Sequence, residues 1–598
     1  MKKRYLFLLS AVILLLAALL LLPRKSASEE WIPTNGPYGG YIHCFAFEGD
    51  HIFAGTEGAG IYISEDDGLH WKEVNSGLSY RNVYSLAGKG TMLYAATNGG
   101  IFVSGDNGDS WKMVESEFTG SIVLSRAVNE THLYAGTING IYISADDGAS
   151  WNGANTGLTS LTVNSIVIDG TDIYAGTEEG GIFLSTDNGG SWSPMNTGLS
   201  NLQVNSLMRK GTNLYAGTYG GGVFLSENRG ISWKAVNSGL GNRYVYSLTV
   251  KDTELFAGTE NGVFNTSDNG ASWTANSSGL SNTFIYSLAA DGENIYAGSN
   301  GGGVFISADQ GMSWRRSSSG MANIHVGAIA LNGSSIYAGT SGAGVYLSED
   351  SGRTWRECNS GLTNPYIFSL NICGEEIFAG TNGGGIFRSV NQGSSWSAVN
   401  SGLDNPYVYS VAVSGTDLYA GTLGGGVFRS ADHGVSWSSV NSGLTNLYVG
   451  SLVVIDHRIY AGTFGGGVFF TTDNGANWTA VNSGLTNTQI FSLAVSGNNL
   501  YAATPGDGIF LSTDFGTSWN PVNTGLPNTN IDALVAKGMM IYVGTYGGGV
   551  FLSDDNGTSW TEVNAGLENI DVYSFGISGK QVYAGTSGRG IWKRKNPK

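Results

Sequence analysis

An octapeptide pattern, S/T-x-D/N-x-G-x-x-W, recurs thirteen times along this chain, and its spacing limits the possible folds more than any other feature. The closing tryptophans stand at 71, 111, 151, 192, 233, 273, 314, 355, 396, 437, 478, 519 and 560, so every step is 40 or 41 residues. A fixed period of that length implies one supersecondary unit repeated against copies of itself.

The unit beginning at Tyr407 serves as the type. Residues 407–413 (YVYSVAV) are a β-branched and aromatic run, 414–417 (SGTD) a turn, and 418–422 (LYAGT) a second short strand. The glycine run 424–426 leads into a third strand, 427–430 (VFRS). The octapeptide SADHGVSW then leads into a fourth, 437–441 (WSSVN). Four short strands with tight connections make an antiparallel meander. The composition agrees, because 92 glycines against 10 prolines, with 41% apolar residues, fit many turns between strands rather than disorder. No helical period occurs beyond the N-terminal segment.

Each meander has two partly apolar faces and needs cover on both, which blades stacked around an axis provide. Fourteen copies of the strand-two signature run from Phe53 to Tyr583, but only thirteen octapeptides accompany them. Trp31–Asn35 (WIPTN) aligns with the fourth strand at Trp71–Asn75 (WKEVN), and the chain ends shortly after a third strand at Trp592. Such a chain is built to close on itself. One ring of fourteen blades would leave a very wide channel, so two tandem seven-bladed propellers are expected, with a six-plus-eight division as the alternative. The expected layout is an all-β fold with residues 1–30 as a signal peptide or signal anchor, 31–313 as the first ring and 314–598 as the second. In this division Trp31 onward supplies the fourth strand of the first ring and Trp314 onward that of the second. The departure WRRSSSGM at the midpoint favours it.

Lys2, Lys3 and Arg4 precede an uncharged run from Tyr5 to Leu22, which as a helix spans about 27 Å, close to a bilayer core. It reads as an export segment, cleaved near Ser26–Ser28 or retained as an anchor, that sends the remaining chain outside the cytoplasm. A net charge of -17 without a basic cluster excludes a phosphate backbone as partner. Three scattered cysteines and seven histidines without ligand spacing give no disulfide framework and no metal site, and no cofactor is expected. A monomer is expected, touching a membrane only through its N-terminal segment.

The octapeptide resembles the Asp-box, or BNR repeat, of sialidases, sortilin-type receptors, photosystem II assembly propellers and xyloglucan-degrading glycoside hydrolases. The resemblance covers residues 31–598, and it implies that each box is a turn between strands three and four, away from the ligand face. The residue types suit that role in Asp187 and Trp192, Asp432 and Trp437, Asp473 and Trp478, and Asp514 and Trp519. A short carboxylate accepts backbone N–H groups, glycine permits positive φ, and tryptophan covers the blade edge. Asn228 and Asn391 replace the aspartate in two copies, which a turn tolerates and a calcium loop does not.

In such propellers the ligand face carries the loops before strand one and between strands two and three. Before strand one the first ring has Tyr41, Asn82, Ile122, Thr162, Gln203, Tyr244 and Phe284, and the second begins with His325. The second ring continues with an aromatic arc of Tyr366, Tyr407 and Tyr448, then a polar arc of Gln489, Asn530 and Asp571. The loops before strand three add Tyr219, Phe464 and Tyr546. Flat apolar rings beside amides and a carboxylate suit a carbohydrate or a protein loop. Packing against the neighbouring blade is the plainer role for these aromatics. For catalysis, Asp532 stands out because Phe491 and Tyr573 hold its position in the adjoining units, although nothing in the sequence pairs it with Asp507 or Asp571. The sialidase Arg-Ile-Pro signature is absent, and so are the long loops of the xyloglucan enzymes. The expected function is therefore an extracytoplasmic, non-catalytic binding or scaffold protein. The alternatives are a glycoside hydrolase acting in a cleft between the rings and an envelope-complex assembly factor.

Overall fold

The computed structural model describes residues 30–34, 39–89, 91–114, 120–128, 131–319, 322–567 and 571–596. The N-terminal export segment lies outside them. The described residues form fourteen four-stranded antiparallel sheets, numbered here as blades 1 to 14, and one two-stranded parallel pairing. Blade 1 spans residues 42–73, blade 7 residues 285–316, blade 8 residues 326–357 and blade 14 begins at 572.

The blades form two rings of seven, with first strands packed side by side around each axis. In the first ring the Ser287 hydroxyl of blade 7 donates to the Ile42 carbonyl of blade 1 at 3.0 Å. In the second ring Ser574 of blade 14 donates to the Val326 carbonyl of blade 8 at 2.9 Å. Second strands such as Asp417–Thr422 are buried along nearly their whole length, as expected for sheets covered on both faces.

The fourth strands correct the sequence-based division at residue 314. Arg315–Arg316, just after Trp314, pairs with Gly303–Ser307 inside blade 7 and stays in the first ring. Ile32–Pro33 instead pairs with Ile591–Lys595 as the outer strand of blade 14, closing the second ring. The reason is local: the octapeptide turn folds each fourth strand back onto the third strand just before it, so blade 7 is already complete. Blade 14 alone lacks an octapeptide, and its open edge takes the N-terminal strand.

The first ring is thus inserted between the outer strand of blade 14 and the rest of the second ring, so the chain crosses between rings twice. The crossings run side by side, with Gly39–Gly40 paired in parallel with Ala322–Asn323. The rings abut where the buried Asn282 amide donates to Asn300 of its own ring and to Gly342 of the other.

Each octapeptide is a closed hydrogen-bonded turn. Ser430 donates to Asp432 Oδ1 at 2.7 Å and accepts the Gly434 N–H at 2.8 Å. Asp432 also accepts the Ser436 N–H at 2.9 Å and its hydroxyl at 2.6 Å. Hydrogen bonds to the carboxyl hold it down at about 2, the Ser436 hydroxyl contributing most. His433 and Gly434 take left-handed φ of 57° and 86°. Trp437, buried, donates its indole N–H to the Val399 carbonyl of the preceding blade at 2.8 Å. The box therefore turns the chain into the last strand of its own blade and fastens that blade to the preceding one.

Candidate functional site

First strands begin with a bulge, as between Val408 and Ser410, between Ile42 and Cys44, and between Ile531 and Ala533. The skipped residue, Tyr409, His43 or Asp532, interrupts the ladder at the loop end of the innermost strand. Skipped residues of neighbouring blades touch: His43 lies 5.2 Å from Tyr84 and 5.6 Å from Tyr286 between ring centroids, and Phe368 lies 4.3 Å from Tyr409.

The two loop faces meet in a cavity of about 380 Å³ between the rings. The first ring contributes Tyr41, Glu57, Gly58 and Asn82, and the second His325, Tyr546, Asp571, Tyr573, Ser587 and Gly588. Backbone geometry fixes these groups. Asp571 accepts the Gly547 N–H at 2.6 Å, and Asn82 accepts the Gly58 N–H at 2.8 Å. Tyr573 packs on His325 with ring centroids 4.5 Å apart. Glu57 Oε2 stands 3.6 Å from His43 Nε2, and interaction with His43 holds its carboxyl below the usual range.

Burial sets the remaining charges. It lowers His325 to about 4, so that imidazole is neutral at pH 7. It raises the Tyr41 and Tyr573 phenols to about 12, with nearby carboxylates adding to the effect. None of the lining residues is lysine or arginine, so the cavity offers carboxylate and amide acceptors, hydroxyl donors and three tyrosine rings to a ligand without negative charge.

Of the ligand-face positions read from the sequence, Tyr41, Asn82, His325, Tyr546 and Asp571 line this cavity, but of the aromatic and polar arcs of the second ring only Asp571 does. Tyr366, Tyr407, Tyr448, Gln489 and Asn530 each form a bridge to the strand-two end of the preceding blade, as Asn382 does with Tyr407 and Leu423 with Tyr448. Tyr407 and Tyr448 are 45% and 51% exposed, but no ring contact joins them among the described residues. The Tyr366 hydroxyl donates to the Asn300 carbonyl of the other ring at 3.3 Å, which makes it part of the inter-ring contact. Asp507 accepts the Thr486 hydroxyl at 2.6 Å, away from the cavity. Asp532 is not among the lining residues. Burial first and Asp571 second raise it to about 6, and its Oδ2 is buried with no hydrogen-bond partner.

Sequence reasoning missed Glu57. A signal existed in the residue after each strand-two threonine: blades 1, 4 and 6 carry Glu57, Glu178 and Glu260, whereas the second ring carries no acid there. Only the meeting of the rings sets Glu57 opposite Asp571.

The model of the DUF6242 β-propeller domain matches residues 152–278, 372–487 and 451–579. No curated protein matches the chain in sequence. In fold it is similar to an ancestral GH74 enzyme, with a TM-score of 0.64 at 16% identity over 96% of this chain and 99% of the other. It is similar to the GH74 xyloglucanase of Xanthomonas campestris, with a TM-score of 0.62 at 17% identity over 95% and 100%. A third likeness is to PorZ, a surface component of the type-IX secretion system of Porphyromonas gingivalis, with a TM-score of 0.57 at 16% identity over 94% and 87%.

Proposed function

The chain belongs to the DUF6242 β-propeller domain family, whose model covers more than half of it, and from that premise we propose an extracytoplasmic, non-catalytic protein that binds a neutral carbohydrate between its rings. The observation that carries this reading is the composition of the inter-ring cavity. Three tyrosines supply flat apolar area, and Glu57, Asn82, His325 and Asp571 supply hydrogen-bond partners for sugar hydroxyls. Its size suits one or two sugar rings, and its carboxylates disfavour acidic sugars. The basic and apolar N-terminal segment supports placement outside the cytoplasm, and we take the protein to act as a monomer.

The non-catalytic part rests on the carboxyl groups. A glycosidase needs a protonated acid and an ionised partner converging on one bond. Glu57 is held ionised and Asp571 is tied to the Gly547 N–H, while Asp532, the one carboxyl shifted upward among the described residues, is not in the lining. Titration calorimetry with neutral and acidic oligosaccharides tests the reading. Neutral sugars bind, and Tyr546→Ala weakens them about tenfold through the loss of one stacking ring. Equal binding by wild type and Tyr546→Ala, or a preference for acidic sugars, rejects it.

One observation favours a second reading, glycoside hydrolysis: burial first and Asp571 second raise Asp532 to about 6, which makes it a candidate acid with a second carboxyl near it. Similarity to a xyloglucanase fold points the same way. Release of reducing ends from xyloglucan, lost in Asp532→Asn, would establish it in place of the first.

A further inference from the structure

The first ring carries aromatic side chains that the cavity leaves unused. Tyr219 and Tyr244 are 40% and 39% exposed and meet edge to face at 4.8 Å. Tyr219 reaches Tyr246 at 6.1 Å, Tyr246 reaches Tyr286 at 5.2 Å, and Tyr286 reaches His43 at 5.6 Å. His43 in turn faces Glu57, which lines the cavity. The series crosses blades 5, 6, 7 and 1 and ends at the cleft. Along it the Tyr246 hydroxyl donates to Glu260 at 2.9 Å, leaving the other carboxylate oxygen as an acceptor beside the rings.

Ring closure does not require this series. At the same bulged position blades 4 and 5 carry Asn164 and Asn205, whose amides donate to Val204 and Val245 of the next blade at 3.2 and 3.0 Å. In the second ring three of the seven blades have Gly327, Gly450 and Asp532 there, beside Phe368, Tyr409, Phe491 and Tyr573 in the others. A short amide, or no side chain at all, satisfies the joint between blades, so packing does not require an aromatic there. The second ring has its own series, Phe368, Tyr409, Phe464 and Phe491, but only the series of the first ring runs to Glu57 in the cavity among the described ring contacts.

We infer that this aromatic track extends the cavity and holds further sugar units of the same ligand, leading away from the cleft across the face of the first ring. This rests on the carbohydrate reading of the cavity and adds to it that the ligand is a chain of several residues. Successive rings 5.2 to 6.1 Å apart offer repeated apolar faces to a polymer of pyranoses, and the Glu260 carboxylate offers an acceptor between them.

The test is a length series of cellulose-derived and xyloglucan-derived oligosaccharides, from disaccharide to octasaccharide, titrated into the full chain. In wild type, affinity rises with length. A Tyr219→Ala, Tyr244→Ala double variant loses about tenfold on the longest oligosaccharide and nothing on the disaccharide. Tyr244→Phe keeps the gain with length, and Tyr546→Ala weakens every length. Both track residues lie at the surface, and unchanged thermal unfolding of the variants separates lost contacts from lost fold. Affinity that stops rising at the disaccharide, or that rises equally in the double variant, overturns the track and leaves the cavity reading standing. No binding of any oligosaccharide to wild type overturns both.

Discussion

Trp31 donates its indole N–H to the carbonyl of Val563 at 2.6 Å, across 532 residues of chain. Every other tryptophan of its kind reaches its blade through an octapeptide; this one arrives from the opposite end of the chain. Its burial makes it the closing element of the second ring. Trp31→Ala is expected to cost roughly 3–5 kcal/mol, the range for emptying a buried tryptophan site. Amide-exchange protection should fall in blades 13, 14 and 8 and persist in blades 2 to 5. Loss concentrated in the first ring would contradict the observed pairing.

Gly402 separates a steric requirement from a conformational one. It has φ +78°, and a methyl group on it would stand 2.2 Å from the Trp437 carbonyl oxygen. Gly415 has φ +64° with nothing within 4 Å. Alanine at 415 meets only the left-handed backbone penalty, about 1 kcal/mol. Alanine at 402 must also push away the start of the next blade's fourth strand, at Trp437, so its loss of Tm should be clearly the larger. Equal losses would mean that the contact is soft.

The box carboxyls make an acid limb. Asp187, Asp432, Asp473 and Asp514 are each held at about 2 by hydrogen bonds, against an ordinary value of 3.8. A depressed folded value gives stability that is complete above about pH 4 and lost as pH falls through 2. Asn391 shows what a neutral replacement does: it accepts the Ser395 N–H and donates to the Ser395 hydroxyl, both at 2.9 Å. Asp432→Asn should therefore keep the fold at pH 7 and lose less stability than wild type between pH 4 and pH 2, as read by Tm. A steeper acid loss in the variant would reverse this assignment.

The fold was legible because the period, the turn residues and the alternating strands all report on local geometry. The surplus strand at Trp31 was recognised, but its destination was misjudged. Deciding it required seeing that the octapeptide Ser307–Trp314 had already supplied blade 7 with a fourth strand. The site was less legible. Residues before strand one vary between blades, and that variation drew attention to Tyr407 and Tyr448, which lie outside the cavity lining. The cavity depends on how the rings abut through Asn282 and the paired crossings 39–40 and 322–323. No repeat-by-repeat comparison contains that contact, so Glu57 and Asp571 could not be brought together from sequence.

Asp532 gives the last prediction, and its sign is opposite to that of the boxes. Burial, with Asp571 adding, raises it to about 6 from 3.8, and its Oδ2 has no partner. A raised folded value contributes stability that is complete below about pH 4 and lost as pH rises through 6, because the buried carboxylate must then ionise without compensation. Asp532→Asn removes the ionisation. The variant should match wild type near pH 4 and exceed it at pH 7.5 by about 1–2 kcal/mol. A rise of that size would be worth roughly 3 kcal/mol in a fully buried carboxyl, and partial exposure reduces it. Denaturant unfolding at the two pH values measures the difference. A gain at pH 7.5 with unchanged sugar affinity places Asp532 as a strained neighbour of the cavity. A gain accompanied by altered affinity near pH 6 makes it the group that sets the charge of the cavity for its ligand. No gain at all would mean that the carboxylate is better solvated than its burial implies.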